Sequence, residues 1–302
     1  MMNRRDLLLG AACAGLVAGA RGETPAAGPM QRAIPASGEQ IPVIGLGTSR
    51  TFDVAADAAA RAPLAAVLDE FLRGGGRVID SSPMYGRAEE VTGDLLRAAG
   101  AAPRIFAATK VWTDGREAGI AQMNESLRRL GVARMDLMQV HNLKDWRTQL
   151  ATLREWKAAG RIRYIGITTS FAPQYAEFEA VMRAEPLDFV QLNYSLGERE
   201  SEKVLLPLAR ERGIATLINR PFMRAELFRR VAGRPLPGWA AEIGCTSWGQ
   251  VFLKWILAHP AVTCVIPASS KAANMRDNML AGFGPLPDEA LREKIAADAL
   301  AG

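Results

Sequence analysis

The stretch IFAATKVWTDGREAGIAQMNESLRRLGVARMDLMQVH, residues 105–141, decides the fold. An apolar run at 105–110 leads into a helical pattern at 117–130, and a second apolar run follows at 135–141. Gly131 stands directly after the helical pattern, where a C-terminal cap favours glycine. This order of strand, helix and strand is typical of a parallel βαβ unit.

The same alternation continues in both directions along the chain. Candidate strands lie at 42–47, 77–80, 105–110, 135–141, 162–168, 189–194, 214–219 and 263–267. Helical patterns lie at 61–73, 87–99, 117–130, 147–159, 173–183, 200–212 and 246–258, and two more follow at 271–282 and 288–300. Eight strand–helix units predict an α/β fold of the (β/α)8 TIM-barrel type, with extra C-terminal helices. A doubly wound sheet is the rival, but it would usually bring a GxGxxG turn, which this sequence lacks.

The segment RAIPASGEQIPVIGLGTS reads as two short strands around a Ser-Gly-Glu turn, which predicts an N-terminal β-hairpin. The 302-residue chain is 49% hydrophobic and carries a formal charge of +5. Its basic residues are spread through helical stretches and form no cluster with stacking aromatics, so we expect no nucleic-acid partner.

The first twenty residues, MMNRRDLLLGAACAGLVAGA, differ from the rest. Paired arginines precede a small and apolar run, a pattern that resembles the twin-arginine export signal of bacteria. The run is shorter than the roughly 20 residues of a membrane span, so we expect no stable membrane insertion once the signal is removed. We therefore expect a signal peptide at 1–20, a flexible leader at 21–32 and the barrel at 33–302. The twin-arginine export machinery is the predicted partner, and the periplasm is the predicted location.

Three polar side chains end consecutive predicted strands: Asp80, Lys110 and His141. Because barrel strands deliver their carboxyl ends to one mouth, we expect these side chains to converge there. Tyr85 follows Asp80 by five residues, in the turn SSPMYG, and should lie just above it.

These residue types suit proton transfer at an oxygen atom. A tyrosine hydroxyl is a poor acid at neutral pH, but a lysine ammonium beside it favours the phenolate. Asp80 would pair with Lys110, and His141 would orient a carbonyl oxygen. The set lacks a nucleophile and metal ligands, since the chain has only two histidines. A general acid without a nucleophile needs a second reagent, and hydride from a nicotinamide fits.

From IPVIGLGT to IPASSKAANMRDNM, the sequence resembles the aldo-keto reductase family. The tetrad of that family falls on Asp80, Tyr85, Lys110 and His141. The segments SLRRLGVARMDLMQVH, GRIRYIGIT and FVQLNYS also resemble family segments. The resemblance implies an NAD(P)(H)-dependent oxidoreductase that interconverts a small aldehyde or ketone and its alcohol. Tyr85 would act as the general acid or base.

The resemblance also implies cofactor contacts. Thr168, Thr169 and Gln191 occupy positions that grip the nicotinamide carboxamide, although Thr169 replaces the usual asparagine. Asn219 and Arg220 stand where many members have Tyr-Ser, whose tyrosine stacks on the nicotinamide. Either Arg220 or Phe222 would approach the cofactor instead.

The last strand is followed by candidate residues for the adenosine half of the cofactor. They are Ser269, Ser270, Lys271, Asn274 and Asn278. Asn274 replaces the family's arginine for the 2′-phosphate, and Lys271 is a substitute charge. The resemblance implies a slight preference for NADP(H) over NAD(H), since members of the family more often use NADP(H).

Trp112 and Met84 are candidate walls of the substrate pocket, with the barrel rim as the alternative place for Trp112. A second hypothesis is an exported cofactor- or ligand-binding protein on a reductase scaffold with little redox activity. The altered positions Thr169, Asn219 and Asn274 motivate it. The intact tetrad argues against it.

Overall fold

The computed structural model describes residues 28–301, in which strands and helices alternate along the chain. The strands are β1 (Gln31–Ala33), β2 (Gln40–Pro42), β3 (Leu46–Gly47), β4 (Val78–Asp80), β5 (Phe106–Val111), β6 (Met135–Val140), β7 (Ile162–Thr168), β8 (Phe189–Asn193), β9 (Ala215–Asn219) and β10 (Cys264–Val265). The α-helices are α1 (Ala58–Arg73), α2 (Ala88–Ala98), α3 (Arg116–Leu130), α4 (Trp146–Ala158), α5 (Tyr175–Ala184), α6 (Leu205–Glu211), α7 (Glu226–Arg230), α8 (Trp239–Glu242), α9 (Trp248–Leu257), α10 (Ala272–Leu280) and α11 (Glu289–Leu300).

Strands β3 to β10 form one parallel sheet, in which each strand pairs with its neighbours in the sequence. Two further parallel bridges join the first strand region to the last, Ile44 with Val265 and Gly47 with Ala268. Across the same seam, the amide of Gly45 donates to the carbonyl of Val265 at 2.8 Å. The sheet therefore closes on itself, as the predicted (β/α)8 barrel requires and a doubly wound sheet does not.

Successive side chains of a strand point alternately into the barrel and toward the helices. On β5, Phe106 lies in the inner apolar cluster, and Lys110 follows at the same two-residue period. On β6, Leu137 lies in that cluster, and Gln139 and His141 follow at the same spacing. The barrel interior is therefore apolar below and polar at the carboxyl ends of the strands.

The predicted N-terminal hairpin consists of β1 and β2, which pair antiparallel. Ile34 and Ile41 from this hairpin belong to the inner apolar cluster of the barrel. The guanidinium of Arg32 donates to the carbonyl of Leu257 at 2.5 Å, where α9 ends. The hairpin is thus tied both to the barrel interior and to a helix on its outside.

The predicted helices form close to their predicted positions. Helix α3 ends at Gly131, whose φ of 70° is the left-handed cap conformation that glycine favours. Helix α6 begins later than predicted because residues 200–202 form a separate 3-10 turn. Helices α7 and α8 were not predicted. Helix α8 directly follows the Pro/Gly-rich stretch GRPLPG at 233–238, and its Trp239 indole donates to Asp298 at 2.7 Å.

Cys245 and Cys264 are buried, unpaired thiols in the described part of the chain. Cys264 lies on β10 in the inner apolar cluster, with none of its surface exposed. Cys245 follows α8 and contributes to the larger apolar cluster between sheet and helices. The barrel holds both thiols away from solvent and from each other.

The predicted export signal at 1–20 lies outside the described residues. Strand β1 begins at Gln31, so the last two residues of the predicted leader at 21–32 belong to the hairpin. Within residues 28–301, the structure has no helix that is both long and apolar enough to span a membrane.

Candidate active site

A cleft of about 760 Å³ opens at the carboxyl ends of the barrel strands. Asp80, Tyr85 and His141 line it. Lys110 lies behind this wall with none of its surface exposed. The structure therefore brings together the four residues that the sequence predicted to converge, and the volume lies within the usual range for a small-molecule site.

Lys110 and Asp80 form a buried ion pair at the base of the cleft. The Lys110 Nζ donates to Asp80 Oδ2 at 2.6 Å and to the Ser81 carbonyl at 2.7 Å. The other carboxylate oxygen, Oδ1, accepts from Gln139 at 3.1 Å and from Gln191 at 2.9 Å. Every charged atom of the pair thus has a partner, as burial of charge requires.

The ion pair sets the position and charge of Lys110. Burial alone would lower the pKa of Lys110, but the negative charge of Asp80 and further interactions with Asp80 and Tyr85 outweigh it, and the net shift is upward. The ammonium therefore persists well above neutral pH. Its nitrogen lies 5.1 Å from the centroid of the Tyr85 ring.

Tyr85 differs from the sequence prediction in its net acidity. Burial raises the pKa of Tyr85, and the Lys110 ammonium lowers it by a smaller amount, so the net shift is upward. The prediction that Lys110 favours the phenolate is correct in direction but is outweighed by desolvation. The phenol therefore keeps its proton at neutral pH.

His141 is a neutral imidazole at the wall of the cleft. Burial and the nearby Lys110 charge lower its pKa to about 3. Its ring meets that of Tyr85 edge to face, with centroids 5.8 Å apart. Its Nδ1 lies 3.0 Å from the hydroxyl oxygen of Ser82. Two hydrogen-bonding groups, a phenol and a neutral imidazole, thus face the same space.

The end of β7 supplies hydroxyls that are already engaged. Thr168 Oγ1 accepts from the backbone amide of Asn142 at 3.2 Å. Thr169 Oγ1 donates to Gln174 Oε1 at 2.8 Å. Both threonines line the cleft, but Thr169 offers neither an amide nor a free hydroxyl toward it.

An amide reaches the end of β7 from Asn219 at the end of β9, two strands away in the sheet. Asn219 Nδ2 donates to the Thr169 carbonyl at 3.1 Å and to Gln191 Oε1 at 3.4 Å. Its Oδ1 is buried and has no hydrogen-bond partner in residues 28–301. Asn219 therefore presents an unused acceptor beside the position where the sequence lost an amide.

Arg220 ties three loops together at the edge of the cleft. Its Nη1 donates to the Ser170 carbonyl at 2.6 Å, and its Nη2 pairs with Glu198 at 2.9 Å. Its φ is 52°, and Met223, Arg224 and Ala225 also have positive φ. A run of left-handed residues outside glycine is characteristic of functional loops. Arg220 and Phe222 both line the cleft, so the structure keeps both candidates open.

The segment after β10 divides into two parts. Asn274 and Asn278 line the cleft. Ser269, Ser270 and Lys271 lie next to it without lining it, and the Ser269 hydroxyl donates to the Lys271 carbonyl at 2.9 Å. Lys271 is exposed at the start of α10.

Arg276 faces away from the cleft. It makes two hydrogen bonds to Glu70 on α1, at 2.6 and 3.0 Å. Lys271 is therefore the cation of this segment that keeps no ion-pair partner in the described part of the chain.

The two candidate pocket walls lie in different places. Met84 lines the cleft and is 46% exposed. Trp112 is 37% exposed and does not line the cleft, so its place is the rim.

Two residues of the site were not predicted from the sequence. Gln139 contacts Asp80, and Ser82 contacts His141. Gln139 could have been predicted, because it precedes His141 by two residues and side chains at that spacing point to the same side of a strand.

Across residues 28–301, no cluster of three or more His, Cys, Asp or Glu side chains is arranged to hold a metal ion.

Comparison with known proteins places this geometry in a family. The model of the aldo/keto reductase family matches residues 43–297. Methylglyoxal reductase YeaE of Escherichia coli K12 is 27% identical over 256 residues, which cover 82% of this chain and 88% of that protein. Aldo-keto reductase YhdN of Bacillus subtilis 168 is 31% identical over 169 residues, about half of each chain.

Solved structures show the same architecture. A crystal structure of an aldo/keto reductase from Klebsiella pneumoniae, in complex with NADP and acetate, is 25% identical with a TM-score of 0.72. The match covers 86% of this chain and 93% of that one.

Proposed function

The chain belongs to the aldo/keto reductase family of oxidoreductases, and on this premise we propose that it interconverts a small aldehyde or ketone and its alcohol. The observation that carries the proposal is the buried group of Asp80, Lys110, Tyr85 and His141 at one cleft. A pure binding protein has no need of a buried ion pair beneath a phenol.

The cleft fits a nicotinamide cofactor, which would supply or accept the hydride. Asn219 supports this fit, because its buried Oδ1 has no partner in the part of the chain that the structure describes and can accept a hydrogen bond from a carboxamide NH2. Gln191 Oε1 lies beside it. We propose that Asn219 supplies the amide contact that Thr169 cannot make.

Tyr85 is the proposed general acid for reduction. Its raised pKa keeps the phenol protonated at neutral pH, which suits proton donation to a carbonyl oxygen. Lys110 then stabilises the phenolate that remains, and Asp80 holds Lys110 in place. Alcohol oxidation needs the phenolate at the start, so we expect it to be favoured at a more alkaline pH than reduction.

His141 is the proposed orienting group. Because it is neutral, it can donate one hydrogen bond to the substrate oxygen without placing a second full charge beside Lys110. The Tyr85 hydroxyl and the His141 imidazole would grip the same oxygen. Met84 would face the rest of the substrate.

We propose NADP(H) over NAD(H), with Lys271 as the partner of a 2′-phosphate. Lys271 is exposed and keeps no ion pair in residues 28–301, whereas Arg276 is held by Glu70. The first experiment is fluorescence titration of the cofactor-free mature chain with NADPH and with NADH. We expect tighter binding of NADPH than of NADH, reduced in Lys271→Met but not in Lys203→Met, a surface lysine that does not line the cleft. Equal affinities in the wild type would contradict the preference.

Tyr85→Phe tests the chemistry separately. We expect carbonyl reduction to fall roughly 100- to 10,000-fold, the usual contribution of a general acid, with NADPH affinity unchanged. Unchanged turnover would reject the role of Tyr85. Failure of the wild type to bind either cofactor would favour the binding-protein hypothesis.

We further propose that the protein is exported to the periplasm through its twin-arginine-type N-terminus. Nicotinamide is not freely supplied outside the cytoplasm, so a tightly held cofactor would travel inside the folded chain. Native mass spectrometry of the periplasmic protein should then show the cofactor bound. Periplasmic protein without nicotinamide would contradict this route, and retention in the cytoplasm would reject the export proposal.

A further inference from the structure

Ser82 connects the two groups that face the substrate space. It lies in the turn between Asp80 and Tyr85, and its carbonyl accepts from the Tyr85 amide at 3.0 Å. Its hydroxyl oxygen accepts from the Met84 amide at 3.2 Å and lies 3.0 Å from His141 Nδ1. One turn therefore carries the phenol and contacts the imidazole.

The position of the Ser82 hydroxyl hydrogen determines whether Ser82 or His141 is the donor in their hydrogen bond. Ser82 has none of its surface exposed, and a buried hydroxyl hydrogen needs an acceptor. Met84 offers only a donor, so within residues 28–301 the acceptor in reach is His141 Nδ1. The serine O–H must donate to Nδ1, which then carries no hydrogen.

The opposite tautomer would leave the serine hydrogen buried without a partner. Both Nδ1–H and the Met84 amide would then donate to the same oxygen. The usual cost of an unsatisfied buried polar group corresponds to a preference of roughly 5- to 150-fold against that state.

We propose that Ser82 is a positioning residue that fixes His141 in the tautomer protonated at Nε2. The Nε2 atom has no protein partner in the described residues and is not sealed from solvent, while His141 lines the cleft. Its hydrogen is therefore available to a ligand oxygen. This inference rests on the proposed function only for the identity of that oxygen, a substrate carbonyl.

The direct test is nitrogen-15 NMR of the imidazoles in the cofactor-free mature chain. The chain has only two histidines, and His259→Gln assigns the His141 signals. We expect a hydrogen-bearing Nε2 and a bare Nδ1 for His141 at neutral pH. A hydrogen on Nδ1 in the wild type would overturn the inference regardless of any variant.

Variants supply the second test. Ser82→Ala should mix the two tautomers, and at equal populations this lowers kcat/KM for carbonyl reduction about 2-fold, with NADPH affinity unchanged. Ser82→Thr keeps the hydroxyl and should restore the single tautomer. Ser201→Ala removes another fully buried serine hydroxyl and should leave the His141 spectrum as in the wild type.

The outcomes separate the two proposals. A single Nε2–H tautomer in Ser82→Ala would overturn the role of Ser82. Absence of NADPH binding or reduction in the wild type would instead reject the proposed function, because the imidazole spectrum is recorded without cofactor or substrate.

Discussion

Replacing Lys110 with methionine should destabilise the protein even though it removes a buried charge. Within residues 28–301, Asp80 Oδ2 accepts only from Lys110, whereas Oδ1 keeps the amides of Gln139 and Gln191. The variant therefore leaves one oxygen of a buried carboxylate without a donor. The Ser81 carbonyl also loses its donor.

The expected loss is about 3–5 kcal/mol, the usual cost of removing one partner of a buried pair. Asp80 and Lys110 side chains are 3% and 0% exposed, so little solvent screening reduces it. For a chain of this size the corresponding fall in Tm is roughly 5–9 °C. Urea unfolding at pH 7, followed by far-UV circular dichroism without cofactor, measures the loss directly.

The double variant Asp80→Asn/Lys110→Met is the matched control. It removes both charges, and replacement of a whole buried pair is often neutral, so it should recover most of the lost stability. All these variants should lose reductase activity, which is why the assay measures unfolding. The ion-pair reasoning is refuted if Lys110→Met stays within about 1 kcal/mol of the wild type or if the double variant is no more stable than Lys110→Met.

Three further predictions follow from the site and its packing. The pKa of His141 in the folded protein, about 3, lies below its usual 6.5. As the pH is lowered, the unfolded chain therefore takes up this proton first, and the free energy of unfolding decreases. Between pH 7 and 5 the wild type should lose about 2 kcal/mol that His141→Asn does not lose, as measured by urea unfolding. Asn219→Ala should weaken NADPH binding roughly 5- to 10-fold in a fluorescence titration, while Asn124→Ala, on the surface, should not; equal affinities would exclude the amide contact. Gly93→Ala would place a methyl 1.9 Å from the Arg129 carbonyl oxygen and should cost at least about 2 kcal/mol, whereas Gly238→Ala meets open space and should stay within about 0.5 kcal/mol.

The barrel was predictable from sequence because its signal is local and repeated. Apolar runs such as that of β5, followed by a helical pattern and a glycine such as Gly131, each report on a few neighbouring residues. Helices α7 and α8 were missed because they are short and stand among proline and glycine. Tertiary contacts such as that of Trp239 with Asp298 hold α8 where local propensity does not.

The tetrad was predictable for the same reason, since each member ends a strand or follows one closely. The pKa shifts of its members were not predictable. The net pKa of Tyr85 depends on burial, which the sequence does not report, against the charge of Lys110. The contacts of Ser82 with His141 and of Asn219 with Thr169 join different elements, so no local pattern announces them.

The two buried thiols have a consequence for the order of events in the life of the chain. In the folded barrel neither Cys245 nor Cys264 is exposed enough to meet an oxidant. In an unfolded chain both are open to oxidation and to pairing with each other or with other proteins. A chain that meets an oxidising compartment before folding would therefore risk a trapped, misfolded form. A chain that folds first keeps both thiols reduced and buried. Early folding, and not a disulfide, therefore protects this barrel from oxidation and mispairing of its cysteines.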